Sequence, residues 1–313
     1  MTLPSSGRRI GVIVGPTGSG KSALAERLVE RGNAEIISAD ALQVYRGLDI
    51  GTAKPSAETQ ARYRYHCIDL HAPDERSTAG TFAVAARAAV TDVLERGRLP
   101  LLVGGSGFYI DATLGRLDPL PSSDPAWREA LETVAERRGT TAMHAWLGQL
   151  DPERAAGIDK QDRQRTLRAL EIVLRTGRSV AALGAEVAVV EPFDPVFVGL
   201  RWSREELYRR IDERVDRMLM SGWLGEVASL LEQGVAREAH AMQAIGYRDL
   251  CAVDAGEMTL GDVRPKIARD TRRYAKRQMT YFRRWPVTWI AMAWGCGAGD
   301  GSVVRAAEGL LPH

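Results

Sequence analysis

The segment Gly15-Pro16-Thr17-Gly18-Ser19-Gly20-Lys21-Ser22 fits the pattern G-x-x-x-x-G-K-S/T in full. Its glycines let successive backbone amides turn inward, and these amides with the N-terminus of a following helix hold anionic phosphate oxygens. Lys21 adds a positive charge to those phosphates, and the Ser22 hydroxyl suits a Mg2+ ion. Such a loop cradles nucleotides most often, but its chemistry demands only a polyphosphate. Asp40 lies just past a second apolar run. A carboxylate there can take a proton from an exocyclic amine or serve as a turn or helix cap. Gln43 carries both a donor and an acceptor and so could read a base edge. Ser106, after another apolar run, either touches a leaving group or closes a turn. Arg210 and Arg214 are four apart and share a helix face, where they either clamp a second phosphate or lie solvated beside Ile211 and Val215.

These residues need a frame, and the hydrophobic pattern supplies one. Residues 10–14 read as a buried parallel strand ending at Gly15, and residues 21–31 as a helix with Ala23, Leu24, Leu28 and Val29 on one face. Strands follow over 35–38 and 100–103, with a further candidate at 68–70 and a helix over 82–96. Alternating strands and helices predict an α/β fold, a P-loop NTPase-like core with a parallel sheet flanked by helices. Residues 118–125 are dense in Pro, Ser and Asp and read as a linker. From 126 to about 184 the pattern is helical and charged. A strand returns at 192–202, followed by a helix carrying Leu207, Ile211, Val215, Met218 and Leu219. The expected organisation is a catalytic core from 1–118 and 192–295, an all-helical insertion over 119–191, and a tail over 296–313 that carries no pattern.

The chain has 313 residues, 45% hydrophobic and 26% charged, with a formal net charge of +2. Near-neutral charge names no partner, so a nucleic-acid site requires local segregation. Residues 160–178 hold six basic and two acidic residues; residues 264–284 hold nine basic and one acidic, together with Tyr274, Tyr281 and Phe282. Basic residues neutralise backbone phosphates and aromatics stack splayed bases, although a solvated helix face has the same composition. Cys67, Cys251 and Cys296 form no C-x-x-C pair, so no zinc site or disulfide framework is implied. The first apolar run is too short for a signal core or a membrane span, and a cytoplasmic location is expected.

The stretch 38–55, Ser-Ala-Asp-Ala-Leu-Gln-Val-Tyr-Arg-Gly-Leu-Asp-Ile-Gly-Thr-Ala-Lys-Pro, resembles the fingerprint of the tRNA dimethylallyltransferases, also called IPP transferases. Gly104-Gly105-Ser106-Gly107-Phe108-Tyr109, Asp162-Arg163-Gln164-Arg165 leading to Arg168-Ala169-Leu170-Glu171, and the stretch from Ile245-Gly246-Tyr247 to Lys276-Arg277-Gln278 resemble the same family in the same order. The resemblance spans roughly residues 10–285. It implies transfer of a dimethylallyl group from dimethylallyl diphosphate to the N6 amine of the adenine 3′ of the anticodon, position 37, in tRNAs that read codons beginning with U. It further implies Asp40 as general base, with Lys21, the loop amides and Mg2+ stabilising the departing diphosphate and one of Arg210 and Arg214 as a second clamp. The tRNA would meet Asp40, Ala41, Leu42, Gln43, Ser106, Arg128, Asp162, Gln164, Arg165, Arg168, Lys276, Arg277 and Gln278. The flipped adenine would enter a channel from one side and the diphosphate from the other, with the helical insertion gripping the anticodon arm of a tRNA bound to a monomer. Two departures stand out: Ala41 where the family usually has Ser, and Ser106 where it has Thr. Ser106 keeps a hydroxyl; Ala41 loses any side-chain hydrogen bond.

Other readings fit parts of the pattern. A small-molecule P-loop kinase would need an acidic magnesium ligand, which Ile68-Asp69 could supply. A prenyltransferase acting on free AMP, ADP or ATP would need neither the basic helix nor the insertion. A non-catalytic tRNA-binding module would have no use for Asp40 beside the phosphate cradle.

Overall fold

The computed structural model describes residues 8–117, 120, 121, 123–185, 193–292 and 297–311. It divides into two compact units, one from Met1–Leu114 with Pro192–His313, the other Gly115–Glu191.

The larger unit is built on a six-stranded sheet in the order β3-β2-β4-β1-β5-β6, every neighbouring pair parallel. The strands are β1 (Arg9–Val14), β2 (Ala34–Ala39), β3 (Tyr65–His66), β4 (Leu99–Gly104), β5 (Asp194–Arg201) and β6 (Thr288–Ala291). β1 after Arg9 and β4 read as apolar runs, and β2 is buried along its whole length although it carries Glu35 and Ser38, because both faces of the sheet are covered. Ile10, Val12 and Val14 point into one hydrophobic cluster and Ile13 into the other, the two-residue period of a strand. Helices α1 (Lys21–Arg31), α2 (Ala57–Tyr63) and α3 (Ala79–Glu95) connect the first four strands, and α4 (Gly107–Thr113) follows β4. Gly104 ends β4 where a Cβ would lie 2.0 Å from the Ala39 carbonyl, so only glycine lets β2 and β4 run this close at the site.

The expected strand at 68–70 is displaced. β3 is two residues long, because Cys67 and Asp69 adopt left-handed backbone (φ 62 and 56) that ends extension. The chain pairs instead with the loop after β2, through Asp69 N to Gln43 O and His71 N to Val44 O.

After β5 come α10 (Arg204–Met220), α11 (Trp223–Glu232), α12 (Tyr247–Asp254) and α13 (Leu260–Phe282), the intervening α5 to α9 belonging to the smaller unit. The expectation of a patternless tail fails over its described part. Asp300 caps α14 (Gly301–Glu308) through Ser302 N, and Val303, Val304, Ala307 and Leu311 are buried in the same cluster as Leu24 and Leu28.

The smaller unit contains α5 (Pro125–Arg138), α6 (Thr140–Leu150), α7 (Pro152–Ala156), α8 (Arg163–Thr176) and α9 (Val180–Ala185), and no strand among the described residues. Leu131, Leu147, Leu167, Leu170 and Ile172 form its core. At its centre the buried Glu171 carboxylate accepts hydrogen bonds from Asp124 N and Ser123 Oγ and pairs with Arg168 and Arg175.

Candidate active site

The phosphate loop joins β1 to α1, and its outward carbonyls are tied down from behind. Arg210 donates from Nε to Gly18 O at 3.0 Å and lies 4.3 Å from the Trp202 ring centre; the Trp202 indole in turn donates to Ser19 O at 2.9 Å. Gln278 on α13 accepts from Thr17 N at 2.8 Å and donates to Gly105 O at 2.9 Å, linking the loop to the end of β4. Gly20, at φ 95, turns the chain into α1, whose first-turn amides have no carbonyl of their own helix to bond. Lys21 Nζ donates to Pro16 O at 2.9 Å. Burial pushes the Lys21 ammonium down to about 8, with Asp40 opposing and Arg214 reinforcing the shift. A cation dehydrated in this way is held ready for an anionic partner.

Loop, β2, β4, α10 and α13 enclose a cavity of about 520 Å³ at the C-terminal ends of the strands, where ligands bind in open α/β sheets. Thr17, Gly18, Gly20, Lys21 and Ser22 form one wall; Asp40, Gly104 and Gly105 stand beside them. Asp40 Oδ1 accepts from Leu42 N at 2.9 Å and Gln43 N at 3.4 Å. The turn-capping and base readings of Asp40 are therefore compatible: one carboxylate oxygen fixes the side chain, and the other has no hydrogen-bond partner among the described residues.

Ser106 Oγ accepts from Ala41 N at 3.0 Å, so position 41 acts through its backbone here. Tyr274 on α13 reaches Ser106 and Gln278 with its hydroxyl, and its ionisation is pushed up to about 12 by burial first and by Asp40 second. The sequence offered Tyr274 only as one of the aromatics that could stack a base, not as a neighbour of Ser106 and Asp40. The signal was its spacing: Thr271, Tyr274 and Gln278 recur at three and four residues and share the face of α13 that lines the cavity.

The two arginines separate. Arg210 braces the loop from outside, whereas Arg214 lines the cavity and donates to Thr52 O at 3.3 Å. Burial pulls the Arg214 pKa below its ordinary value, and the neighbouring Asp40 opposes that shift.

Several residues expected to meet RNA are occupied internally. Gln43 is buried; its side-chain oxygen accepts from Ser38 Oγ, and its amide donates to Thr52 O and Ala53 O. Gln278 is buried and holds two backbone groups, as above. Arg168 bonds Pro121 O and pairs with Glu171, and Asp162 caps α8 by accepting from Arg165 N. Gln164 and Arg165 are exposed on the first turn of α8, and Arg128 is half-buried on α5. Much of the basic character of α13 is likewise matched locally: Arg264 pairs with Asp216, Arg272 with Asp212, Lys266 with Asp249 and Arg284 with Asp111. Lys276, Arg277 and Arg283 remain exposed and without an ion pair among the described residues, and Arg277 borders the cavity.

The IPP transferase family model matches residues 43–285 and an isopentenyl transferase model matches residues 8–74. The chain belongs to the tRNA dimethylallyltransferase family. It is 44% identical over 281 residues to the tRNA dimethylallyltransferase of Geobacter sulfurreducens, covering 89% of this chain and 90% of that one. It is 47% identical over 278 residues to tRNA dimethylallyltransferase 1 of Citrifermentans bemidjiense, covering 88% and 90%. Among solved structures it is similar to the tRNA isopentenylpyrophosphate transferase of Bacillus halodurans, with TM-score 0.69, 36% identity and coverage of 96% of this chain and 95% of that one. It is also similar to a eukaryotic dimethylallyltransferase described as acting on tRNA, with TM-score 0.81, 26% identity and coverage of 96% and 77%. The chain is thus a prenyltransferase by family. No helix among the described residues is long and apolar enough to cross a membrane.

Proposed function

We propose that this chain transfers the dimethylallyl group of dimethylallyl diphosphate to N6 of the adenine 3′ of the anticodon in tRNAs reading codons that begin with U. The observation that carries the reading is the carboxylate of Asp40 in one cavity with Lys21 and the phosphate loop. A kinase would also use a carboxylate, as a magnesium ligand or as the acceptor of a hydroxyl proton; the prenyltransferase family of the chain favours attack by an amine.

The amine lone pair attacks C1 of the allyl group as the C1–O bond breaks, and diphosphate leaves with the bonding pair. Asp40 takes the proton lost from N6 through the oxygen that does not cap the turn. Lys21, Arg214 and the first-turn amides of α1 are fixed where negative charge grows on the diphosphate, so they favour the transition state over the ground state. Ser22 is exposed at the cavity wall next to Lys21. One hydroxyl donor suits a Mg2+ ion that keeps most of its shell as water and diphosphate oxygens, where it would neutralise leaving-group charge. Ser106 and Tyr274 hold the Ala41 turn and border the side of Asp40 from which the adenine approaches. Flipping a loop base costs less than flipping one from a duplex. Lys276, Arg277 and Arg283 supply phosphate contacts around the mouth. The protein works as a cytoplasmic monomer in this reading.

The test uses purified protein, Mg2+ and labelled dimethylallyl diphosphate with unmodified tRNA or with AMP. Label on tRNA at the adenine beside the anticodon, lost with Asp40→Ala, is the expected result. Label on AMP alone would move the acceptor, and phosphate transfer from ATP without prenylation would overturn the reading.

A further inference from the structure

Helix α10 runs along the cavity like a scale. Arg210, Arg214 and Met218 are each four residues apart and so lie on one face, about 6 Å apart along the axis. Arg210 holds Gly18 of the phosphate loop, Arg214 lies in the cavity with Asp40, and Met218 lines the cavity one turn further on. The wall changes character along this line. Arg214 brings charge to it, whereas Val215, Met218, Leu42, Ala244, Ile245 and Trp223 line the cavity as members of one apolar cluster. Gly222, at φ 96, then turns the chain from α10 into α11, and Trp223 closes the apolar end.

Trp223 is held with little freedom. It is 2% exposed although it lines the cavity. A Cβ on Gly51 would lie 2.1 Å from its Nε1, and a Cβ on Gly246 would lie 2.0 Å from its Cη2. Both glycines therefore pack their backbones directly on the indole, and the Tyr247 ring meets it edge-on at 5.5 Å. The Gly51 side of this grip is itself pinned: Glu226 accepts from Asp49 N at 2.9 Å, Ile50 N at 2.6 Å and Gly51 N at 3.3 Å, and from the Tyr247 hydroxyl at 2.7 Å. Three consecutive amides on one carboxylate leave that segment no room to retreat from the indole.

We propose that Trp223 sets the length of the prenyl group, admitting a five-carbon dimethylallyl chain and refusing a ten-carbon one. This rests on the prenyl-transfer reading of the same cavity. An extended dimethylallyl group spans roughly 4 Å from C1 to its methyls at carbon–carbon bonds of about 1.5 Å. That fits the one helical turn between Arg214 and Met218. A second isoprene unit adds four more main-chain bonds, roughly 5 Å, and meets the fixed indole. A wall that cannot move rejects the longer chain by overlap, which is stronger discrimination than the loss of favourable contacts.

The experiment measures kcat/KM for dimethylallyl diphosphate and for geranyl diphosphate with unmodified tRNA and Mg2+, in the unsubstituted protein and in Trp223→Ala. The expected result is that Trp223→Ala raises the geranyl-to-dimethylallyl ratio at least tenfold. A folded Trp223→Ala with an unchanged ratio would overturn the proposal, because a merely structural tryptophan lowers both rates together. If circular dichroism shows that Trp223→Ala has not folded, Trp223→Phe decides. It keeps a ring between the two glycines but shortens the wall, and the ratio must rise in the same direction or the proposal fails. If the unsubstituted protein does not prenylate tRNA from dimethylallyl diphosphate, the functional reading has failed, a result distinct from an unchanged ratio.

Discussion

Gln278 and Thr17 are 261 residues apart in sequence, and the Gln278 side-chain oxygen accepts the Thr17 backbone amide at 2.8 Å. The same side chain donates to Gly105 O at 2.9 Å. One neutral amide thus joins the phosphate loop, the end of β4 and α13, and does so where both of its partners are backbone groups.

Replacing Gln278 by Ala leaves the part-buried Thr17 N–H and the buried Gly105 C=O without these bonds, at a cost of about 1–3 kcal/mol. The expected outcome is a lower Tm together with a raised KM for dimethylallyl diphosphate, since Thr17 forms part of the cradle. Gln278→Glu keeps the acceptor for Thr17 but places a carboxylate against Gly105 O, so it should be at least as damaging. Melting curves and diphosphate kinetics on both variants check this. A change confined to tRNA KM would instead return Gln278 to an RNA-contact role.

Asp40→Asn retains an oxygen for Leu42 N and Gln43 N and should leave Tm near that of the unsubstituted chain. It removes the proton acceptor, and kcat for tRNA prenylation should fall by roughly 10²–10⁴-fold, the usual contribution of a positioned base. Single-turnover rates with saturating tRNA and dimethylallyl diphosphate separate this from weakened binding. A kcat within threefold of the original would assign the proton to another group.

The strands that carry the cradle and Asp40 were legible because a parallel sheet covered on both faces leaves largely apolar runs, and the cradle because its glycine spacing is tied to backbone geometry. Asp40 was legible from its place past a strand end. What escaped depends on contacts distant in sequence. Nothing within residues 264–284 indicates that Arg264 and Arg272 meet Asp216 and Asp212 on α10, so a run of net +8 overstated the charge available to RNA. Gln43 and Gln278 were expected to meet tRNA, and their internal roles escaped because their hydrogen-bond partners lie mostly on other segments. The 68–70 strand was misplaced because Cys67 and Asp69 take left-handed backbone that their residue types do not announce. In α14, Val303, Val304 and Ala307 do recur at helical spacing, with Leu311 just beyond joining the same cluster, but Gly and Ala around them hid it.

Lys21 in the ligand-free protein is held at about 8, below its ordinary 10.5. Between those values the unfolded chain binds more protons than the folded one, so this group makes stability rise with pH across the window. Below pH 8 the buried ammonium costs up to about 3.5 kcal/mol, the fall from 10.5 to about 8 taken at about 1.4 kcal/mol for each tenfold. Lys21→Met should therefore melt several degrees higher than the original at pH 7 while losing activity, and the gap should narrow as pH rises from 8 to 10.5. For the unsubstituted protein, kcat/KM for dimethylallyl diphosphate should fall as pH rises through about 8, where free Lys21 loses its charge. A pH-independent gap in Tm would show that Lys21 is not the dehydrated group.

Arg277 is exposed on α13 beside the cavity mouth, its guanidinium 5.7 Å from the Tyr274 ring centre. Its neighbour Lys276 is exposed as well, and neither has an acidic partner among the described residues. A guanidinium so placed is free to meet a tRNA phosphate. Arg277→Ala should weaken tRNA binding by about 1 kcal/mol or more and reduce the slope of log Kobs against log salt by about one. KM for dimethylallyl diphosphate should move less than twofold, because the cradle is built by other residues. Arg264→Ala supplies the contrast: its charge is already matched by Asp216 at 2.7 Å, so its loss should leave the salt slope unchanged. Filter-binding titrations from 50 to 200 mM salt, the range over which phosphate contacts show clearly, distinguish the two. Equal slopes for both variants would mean that Arg277 is no more available to RNA than Arg264.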